Sequence, residues 1–189
     1  HTSLGEKMAL KEIKTTALVD PAERIEAIQQ FQNEARILAK LRHRHLPRVI
    51  DFFEENGRQY LVMDQVKGDT LEVIIDRSPG YLPEEQLIGW AMQICDVLAY
   101  LHGQNPPVIF RDLKPGNIMI ERSSGQIKLI DFGIARLFNP AKGTDTLKMG
   151  TPGYAPPEQY GGRGGTGPRS DIYALGATLH HLATKNDPQ

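Results

Sequence analysis

Two short polar segments constrain what this chain can fold into more than any other feature of its sequence. Residues 110–117 have the sequence Phe-Arg-Asp-Leu-Lys-Pro-Gly-Asn, and residues 131–133 have the sequence Asp-Phe-Gly. Apolar residues at 118–120 and 127–130 predict two short strands between the segments, around a turn at residues 123–125. The two segments therefore place two carboxylates, an ammonium group and an amide on neighbouring turns.

This set of side chains is the one that phosphoryl transfer needs. Asp112 can accept the proton of an attacking hydroxyl, and Lys114 can neutralise charge on the moving phosphoryl group. Asn117 and Asp131 offer the oxygen ligands that magnesium prefers. The spacing Asp-x-Lys-x-x-Asn followed by Asp-Phe-Gly is far harder to meet by chance than a lone glycine pattern, so it indicates this chemistry specifically.

The composition narrows the class of protein and its partners. The chain has 189 residues, a formal net charge of −1 and one cysteine, Cys95. A charge near zero without clustered Lys and Arg argues against a nucleic-acid partner. A single cysteine, expected to be buried, fits a reducing, cytoplasmic setting. No apolar run could span a bilayer. Because the sequence begins at His1 and stops without tail-like composition, we expect a fragment, with a membrane anchor possible only in missing regions.

The first third of the sequence predicts a small sheet and one helix. Residues 8–13 alternate loosely between apolar and polar side chains and predict a strand. Asp20, followed by Pro and then by Glu, begins a helix that is expected to reach about Leu41. Residues 49–53 and 60–66 predict two strands that an Asn-Gly turn joins into a hairpin.

The remainder of the sequence predicts mainly helices. Apolar residues from Leu87 to Leu101 repeat at intervals of three and four, which predicts a long amphipathic helix. Residues 134–170 are rich in Gly, Pro and Thr and predict a long functional loop. Another helix is predicted from Asp171 to about Thr184. Its apolar face is expected to comprise Ile172, Leu175, Leu179 and Leu182.

The order of the two polar segments resembles the catalytic loop and the magnesium loop of protein kinases. Residues 150–158 resemble the end of a kinase activation segment, with Pro-Pro-Glu for the usual Ala-Pro-Glu. Their sequence is similar to that of bacterial serine/threonine kinases. The resemblance implies an α+β, two-lobed protein-kinase-like fold, with a partial β-rich lobe over residues 1–66 and a partial, mainly helical lobe over residues 67–189. The family's glycine-rich phosphate loop and closing helices would lie outside the chain. We therefore expect the isolated chain to be poorly active, with apolar faces of its last helix uncovered.

In the small lobe, the resemblance implies a set of nucleotide contacts. Lys11, which ends the stretch Met-Ala-Leu-Lys, matches the lysine that holds the α- and β-phosphates of ATP. Glu34, which helical spacing places on the buried side of its helix, matches the glutamate that pairs with this lysine. Met63 matches the gatekeeper at the back of the adenine pocket. The other residues that match this pocket are Ala9, Asp64, Val66 and, from the larger lobe, Met119. From sequence alone, the two methionines fit plain core positions equally well.

In the larger lobe, the resemblance implies the catalytic roles. Asp112 matches the base that orients the acceptor hydroxyl, and Lys114 matches the lysine of the serine/threonine-specific loop. Asn117 and Asp131 match the two magnesium ligands. Thr151 is expected to hydrogen-bond Asp112 and Lys114 and to shape a pocket for a Ser or Thr acceptor.

Other positions match structural and regulatory parts of the family. Asp171 resembles the helix residue that accepts backbone N–H groups of the catalytic loop. Glu158 matches a glutamate that pairs with an arginine beyond this chain, so its charge is expected to lack a partner here. Arg111 matches an arginine that receives a phosphate of the activation segment, for which Thr144 and Thr146 are the candidate sites.

Together these matches imply ATP- and magnesium-dependent phosphorylation of serine or threonine on protein substrates, in signalling. One alternative is a small-molecule phosphotransferase of kinase-like fold, against which Thr151 and the Pro-Pro-Glu stretch argue. The other alternative is a non-catalytic pseudokinase that serves as a binding module. Against it stands the presence of all five key polar residues: Lys11, Glu34, Asp112, Asn117 and Asp131.

Overall fold

The structure, a computed structural model of the chain, describes residues 7–13, 21–131, 136–137, 151–160 and 165–188. The chain divides into two compact units, His1–Val66 and Lys67–Gln189. Each unit has buried apolar residues of its own, and each combines helices with antiparallel strands. The prediction of an α+β fold is therefore confirmed.

A three-stranded antiparallel sheet and one helix form the first unit. The strand order is β1-β3-β2, with β1 at Met8–Ile13, β2 at Val49–Glu55 and β3 at Arg58–Asp64. Asn56 and Gly57 join β2 to β3 and have positive φ angles of 52° and 72°. Two consecutive positive φ angles are what the common two-residue hairpin turn requires. The predicted strand and hairpin are thus confirmed.

The central strand β3 carries the buried face of this sheet. Leu61 and Met63 are buried, and the residues between and after them are only partly covered, because successive strand residues point to opposite faces. Ala9 on β1 lies opposite Met63, and Lys11 lies opposite Leu61. Since directly opposed residues share a face, Ala9 and Lys11 lie on the same face of the sheet as the buried pair.

The helix of the first unit, α1, runs over Pro21–Leu38 and buries Ala35 and Leu38. It begins where the sequence predicts but ends about three residues earlier than the predicted Leu41. The amide of Lys40 bonds to the carbonyl of Ile37 at 2.9 Å, and the amide of Leu41 bonds to that of Leu38 at 3.1 Å. These bonds span three residues rather than four, so the last turn tightens and leaves the α-helix.

Two small sheets belong to the second unit. The first has the order β4-β6-β7, with β4 at Gly68–Thr70, β6 at Ile118–Glu121 and β7 at Ile127–Leu129. The second pairs β5, Val108–Ile109, with β8, Arg136–Leu137. The sequence predicted β6 and β7 but not β4, because three residues are too few for an alternating pattern to be seen.

Three helices complete the second unit: α2 at Leu71–Arg77, α3 at Glu84–His102 and α4 at Pro168–Thr184. The predicted amphipathic helix is α3, and Ile94 on it is fully buried. Cys95 is exposed, so the prediction that it is buried is wrong. One residue along a helix turns the side chain by about 100°, which carries Cys95 off the buried face that Ile94 occupies. No helix among the described residues is long and apolar enough to cross a membrane.

The buried face of α4 differs in part from the predicted one. Ile172 is 54% exposed and Tyr173 is 50% exposed, whereas Leu175 and Leu182 are buried as expected. The helix also buries three polar residues that an apolar pattern leaves out: Ser170, Asp171 and Thr178. The buried residues of α4 are Ser170, Asp171, Ala174, Leu175, Thr178 and Leu182.

Strands β4 and β6 approach so closely at Gly68 that no side chain fits there. A Cβ atom at Gly68 would lie 1.9 Å from the backbone oxygen of Ile120. Because that oxygen belongs to a paired strand, Gly68→Ala should lower the free energy of unfolding by about 2 kcal/mol or more. Gly176→Ala on α4 is the matched control, since no atom lies within 4 Å of its Cβ. Urea unfolding of the two variants measures the difference, and equal stabilities would contradict the expectation.

Candidate active site

The β6–β7 ladder brings the ends of the two polar segments side by side. Ile118 pairs with Leu129, so Asn117 just before β6 lies next to Ile130 just after β7. The amide of Ile130 donates to the backbone oxygen of Asn117 at 2.9 Å. The residue that follows is Asp131. The backbone of the ladder thus fixes the predicted magnesium ligands at one end of the hairpin.

Asp112 lies at the centre of a hydrogen-bond network in the loop of residues 110–117, called the 110–117 loop from here on. Its Oδ1 accepts a bond from Thr151 Oγ1 at 2.7 Å, and its Oδ2 accepts one from Asn117 Nδ2 at 2.8 Å. Lys114 Nζ lies 3.3 Å from the same Oδ2. Asn117 Nδ2 also donates to the Asp112 backbone oxygen at 2.8 Å. Contacts on both oxygens fix the orientation of a carboxylate that is only 8% exposed.

Thr151 connects the 110–117 loop to the segment 151–160. Its hydroxyl donates to Asp112 and accepts a bond from Lys114 Nζ at 2.7 Å. A hydroxyl has one hydrogen and two lone pairs, so it can make both contacts at once. The predicted hydrogen bonds of Thr151 are therefore present. They hold the carboxylate of Asp112 and the ammonium group of Lys114, two residues further along the chain, at fixed positions.

The oxygen atoms of Asn117 and Asp131 have the chemistry of a magnesium site. The side-chain nitrogen of Asn117 donates to Asp112, so these bonds do not use its side-chain oxygen. Among the described residues, no group of three or more His, Cys, Asp or Glu side chains could hold a metal ion. One carboxylate and one amide oxygen nevertheless fit magnesium, which usually takes few protein ligands and completes its shell with water and substrate phosphates.

Two residues of the site have backbone conformations that L-amino acids rarely adopt. The φ angle is 73° at Arg111 and 68° at Asp131. Each left-handed non-glycine residue costs about 1–2 kcal/mol, and such residues concentrate at functional sites. The surrounding contacts must therefore hold these two positions in place.

Asp171 of α4 supplies the principal contacts at Arg111. Its two oxygens accept the backbone amides of Phe110 at 2.9 Å and of Arg111 at 2.8 Å. These are the bonds that the sequence predicted for Asp171. His102, at the end of α3, places Nε2 2.7 Å from Asp171 Oδ2. His102 was not predicted from the sequence, because one histidine at a helix end carries no local signal of a partner that lies 69 residues away.

Two further polar side chains contact the backbone of the 110–117 loop. Gln159 Nε2 donates to the carbonyl of Arg111 at 3.4 Å, and Thr178 Oγ1 donates to the carbonyl of Leu113 at 3.3 Å. Both side chains are buried. Neither residue was predicted from the sequence, since neither belongs to a recognisable motif.

Glu158 accepts a hydrogen bond from a neutral hydroxyl, and the prediction that its charge lacks a cationic partner stays a prediction. Ser170 Oγ donates to Glu158 Oε1 at 2.8 Å and accepts a bond from the amide of Gly167 at 3.2 Å. Ser170 lies in the first turn of α4, so this bond ties the short 3₁₀ helix Pro157–Tyr160 to the beginning of α4. A hydroxyl thus satisfies one oxygen of the carboxylate without an arginine.

Most predicted nucleotide residues lie in the first unit. Lys11 is half-buried on β1, and Val66 is half-buried just beyond β3. The carboxylate of Asp64 accepts a bond from Arg48 Nε at 2.9 Å, and its amide donates to the carbonyl of Arg48 at 2.9 Å. The Asp64 amide is thereby used within the first unit. Met119 belongs to the second unit, where it is half-buried on β6.

Three predicted residues lie outside what the structure describes. The backbone of Glu34 belongs to α1, but its side chain is not among the described ones, and so the predicted pair with Lys11 stays a prediction. Thr144 and Thr146 lie between the described ranges 136–137 and 151–160. Their predicted phosphorylation therefore also stays a prediction.

A buried tyrosine joins the segment 151–160 to α4. The hydroxyl of Tyr154 is hydrogen-bonded to His181 Nδ1. Burial of this hydroxyl, together with the negative charges of Asp187 and Glu72, raises the pKa of Tyr154 from 10.0 to about 12. All three causes disfavour the tyrosinate, so folding favours the neutral phenol.

This raised pKa predicts a pH dependence of stability. Below pH 10 the phenol is neutral in the folded and the unfolded chain, so its contribution is constant. Between pH 10 and about 12 only the unfolded chain ionises at this position, so stability is lost as the pH rises. The difference in unfolding free energy between wild type and Tyr154→Phe should therefore shrink above pH 10. Urea unfolding at pH 8 and pH 11 tests this, and a difference that stays constant would refute it.

Comparison with known proteins gives a match over the whole chain. The sequence model of the protein kinase domain family matches residues 1–189. The mouse serine/threonine-protein kinase Nek1 is 35% identical over 184 residues, which is 97% of this chain and 14% of Nek1. The serine/threonine-protein kinase pkn2 of Myxococcus xanthus is 33% identical, over 100% of this chain and 22% of pkn2. PknA of Mycobacterium tuberculosis, also a serine/threonine-protein kinase, is 35% identical over 98% of this chain and 42% of PknA. The chain thus spans less than half the length of each of these relatives.

Proposed function

We propose that this chain, which belongs to the protein kinase domain family, forms the catalytic part of an enzyme that transfers the γ-phosphoryl group of ATP to serine or threonine of protein substrates in signalling. The observation that carries the proposal is the network of Asp112, Lys114, Asn117 and Thr151. It supplies a proton acceptor and a cation in one fixed arrangement, which is what positioning a hydroxyl against a phosphoryl group demands.

Asp112 would orient the acceptor hydroxyl and receive its proton. The bonds from Thr151 and Asn117 prevent the carboxylate from rotating, so an oxygen stays aimed at the same point in every encounter. A general base must lie within hydrogen-bond reach of the proton that it removes. The network therefore supplies the geometry before a substrate arrives.

Lys114 would stabilise negative charge on the phosphoryl group as it moves. Its Nζ is held by Thr151 at 2.7 Å and lies 3.3 Å from Asp112. A cation whose position is already fixed does not need to reorganise during the reaction, and this is the source of most electrostatic stabilisation by enzymes. The half-buried position of Lys114 strengthens this effect by excluding part of the water.

The nucleotide contacts are proposed for the residues that the sequence assigns to them. Lys11 is proposed to contact the α- and β-phosphates and Glu34 to pair with it, while Asn117 and Asp131 would bind magnesium. Magnesium, when bound, neutralises charge on the phosphate oxygens. Adenine would contact residues that the sequence assigns to its pocket: Ala9, Met63, Asp64, Val66 and Met119.

Specificity for serine and threonine is proposed on the position of Thr151. Its hydroxyl bonds to both the proposed base and the proposed cation. From Thr151 the chain leads into the 3₁₀ helix at Pro157–Tyr160. A segment in this place can present a peptide to Asp112, which a small-molecule phosphotransferase has no need to do. The names of the relatives, all serine/threonine-protein kinases, support the same choice.

We also propose that phosphorylation of Thr144 or Thr146 regulates the enzyme through Arg111. A phosphothreonine adds roughly −1.5 to −2 charges, and a guanidinium binds it well. Mass spectrometry of the full-length protein after incubation with ATP tests this, and phosphate only at other residues would rule it out.

Substitution of Asp131 by alanine in the full-length protein tests the proposed chemistry. Asp131→Ala should lower kcat by about a hundredfold or more, because a charge-stabilising group is lost from the transition state. The matched control is Asp76→Asn, which removes an exposed carboxylate on α2.

Transfer of labelled phosphate from ATP is measured for both variants, with a protein substrate and with small alcohols in parallel. Turnover of Asp131→Ala within tenfold of wild type would reject the assignment. Faster transfer to alcohols than to protein would instead favour a small-molecule phosphotransferase, and no transfer by wild type would favour a pseudokinase.

A further inference from the structure

Thr178 is a fully buried polar residue in the middle of α4. It is 0% exposed, and its hydroxyl donates to the backbone carbonyl of Leu113 at 3.3 Å. Leu113 stands between Asp112 and Lys114 in the sequence, and its own side chain is also 0% exposed. The hydroxyl therefore contacts the backbone of the residue that joins the proposed base to the proposed cation.

Packing alone does not explain a hydroxyl at this place. Valine has almost the same shape as threonine and would fill the same space without a polar group to satisfy. A threonine in a helix commonly bonds to the carbonyl four residues earlier, as Thr184 does with His180 at 2.8 Å. Thr178 instead bonds across to a separate loop, and the bond satisfies a hydroxyl that has no access to water.

Asp171 and Thr178 hold the 110–117 loop at two points of one helix. They are seven residues apart, which is about two turns and roughly 10 Å along the axis, on the same buried face. Asp171 binds the amides of Phe110 and Arg111, and Thr178 binds the carbonyl of Leu113. The two attachments flank Asp112, so together they fix the direction in which its side chain leaves the backbone.

We infer that Thr178 is a positioning residue for phosphoryl transfer, acting through the Leu113 carbonyl on Asp112 and Lys114. The inference rests on the proposed function of those two residues. Loss of the hydroxyl would let the backbone between Arg111 and Lys114 shift, while the buried methyl groups keep α4 packed. A bond of 3.3 Å is at the long end for a hydroxyl donor, so the expected effect is severalfold rather than several orders of magnitude.

Two pairs of variants of the full-length protein isolate the hydroxyl. Thr178→Val removes it and keeps the shape, whereas Thr178→Ser keeps it and loses a methyl group. Thr178→Ala then differs from Thr178→Ser in the hydroxyl alone, which preserves a comparison if the valine variant does not fold. Thr184→Val is the matched control, because it removes a hydroxyl hydrogen bond from the same helix without any contact to the 110–117 loop.

Steady-state kinetics provide the first readout. Thr178→Val should lower kcat about fivefold, as loss of one hydrogen bond that shapes the transition state would do, with the KM for ATP unchanged. Thr178→Ser and Thr184→Val should keep the kcat of wild type. The inference is overturned if Thr178→Val keeps wild-type kcat, if serine is as slow as valine or alanine, or if Thr184→Val falls equally.

Hydrogen exchange of the 110–117 loop provides a second readout that does not depend on activity. The amides of this loop should exchange faster in Thr178→Val or Thr178→Ala than in Thr178→Ser or Thr184→Val, because one attachment of the loop is lost. Equal exchange in all variants overturns the inference. If wild type transfers no phosphate, the proposed function fails, and hydrogen exchange alone then decides whether Thr178 positions the loop.

Discussion

A single buried carboxylate, that of Asp171, supports the arrangement of the site. Its side chain is 0% exposed, and burial of an unpaired carboxylate would cost several kcal/mol. The amides of Phe110 and Arg111 and the ring of His102 offset that cost by contacting its two oxygens. The same bonds hold Arg111 in its left-handed conformation, which an extended or helical loop would not adopt. The 110–117 loop therefore has its shape because α4 lies beneath it.

From this attachment the remaining contacts follow along the chain. Asp112, next to the anchored Arg111, points at Thr151 and Asn117, and Asn117 in turn leads into β6. Through the β6–β7 ladder the chain then returns to Asn117, whose backbone oxygen accepts the amide of Ile130, and Asp131 is the next residue. Asp112 and Asn117 are thus held by backbone bonds of their neighbours as well as by their own side-chain contacts.

The sequence predicted the polar network of the site and the support from Asp171, but not the other contacts that support it. Asp112, Lys114 and Asn117 were predictable because their chemistry depends on residue type at short, fixed spacing, and Thr151 and Asp171 because they match a family pattern. His102, Gln159 and Thr178 have ordinary surroundings in the sequence, and their partners are 48 to 69 residues away. The prediction of the buried face of α4 was partly wrong for a related reason, since a hydrophobic pattern excludes the polar residues that contact the loop.

The left-handed backbone at Asp131 places two demands on one position. Glycine would adopt a φ of 68° without steric cost, whereas aspartate costs about 1–2 kcal/mol there. The carboxylate that the proposed reaction requires is therefore kept at the expense of folding stability. If Asp131 binds magnesium as proposed, exchange for glycine would remove that ligand and the backbone strain together, so a gain in stability at this position comes with the loss of the proposed ligand.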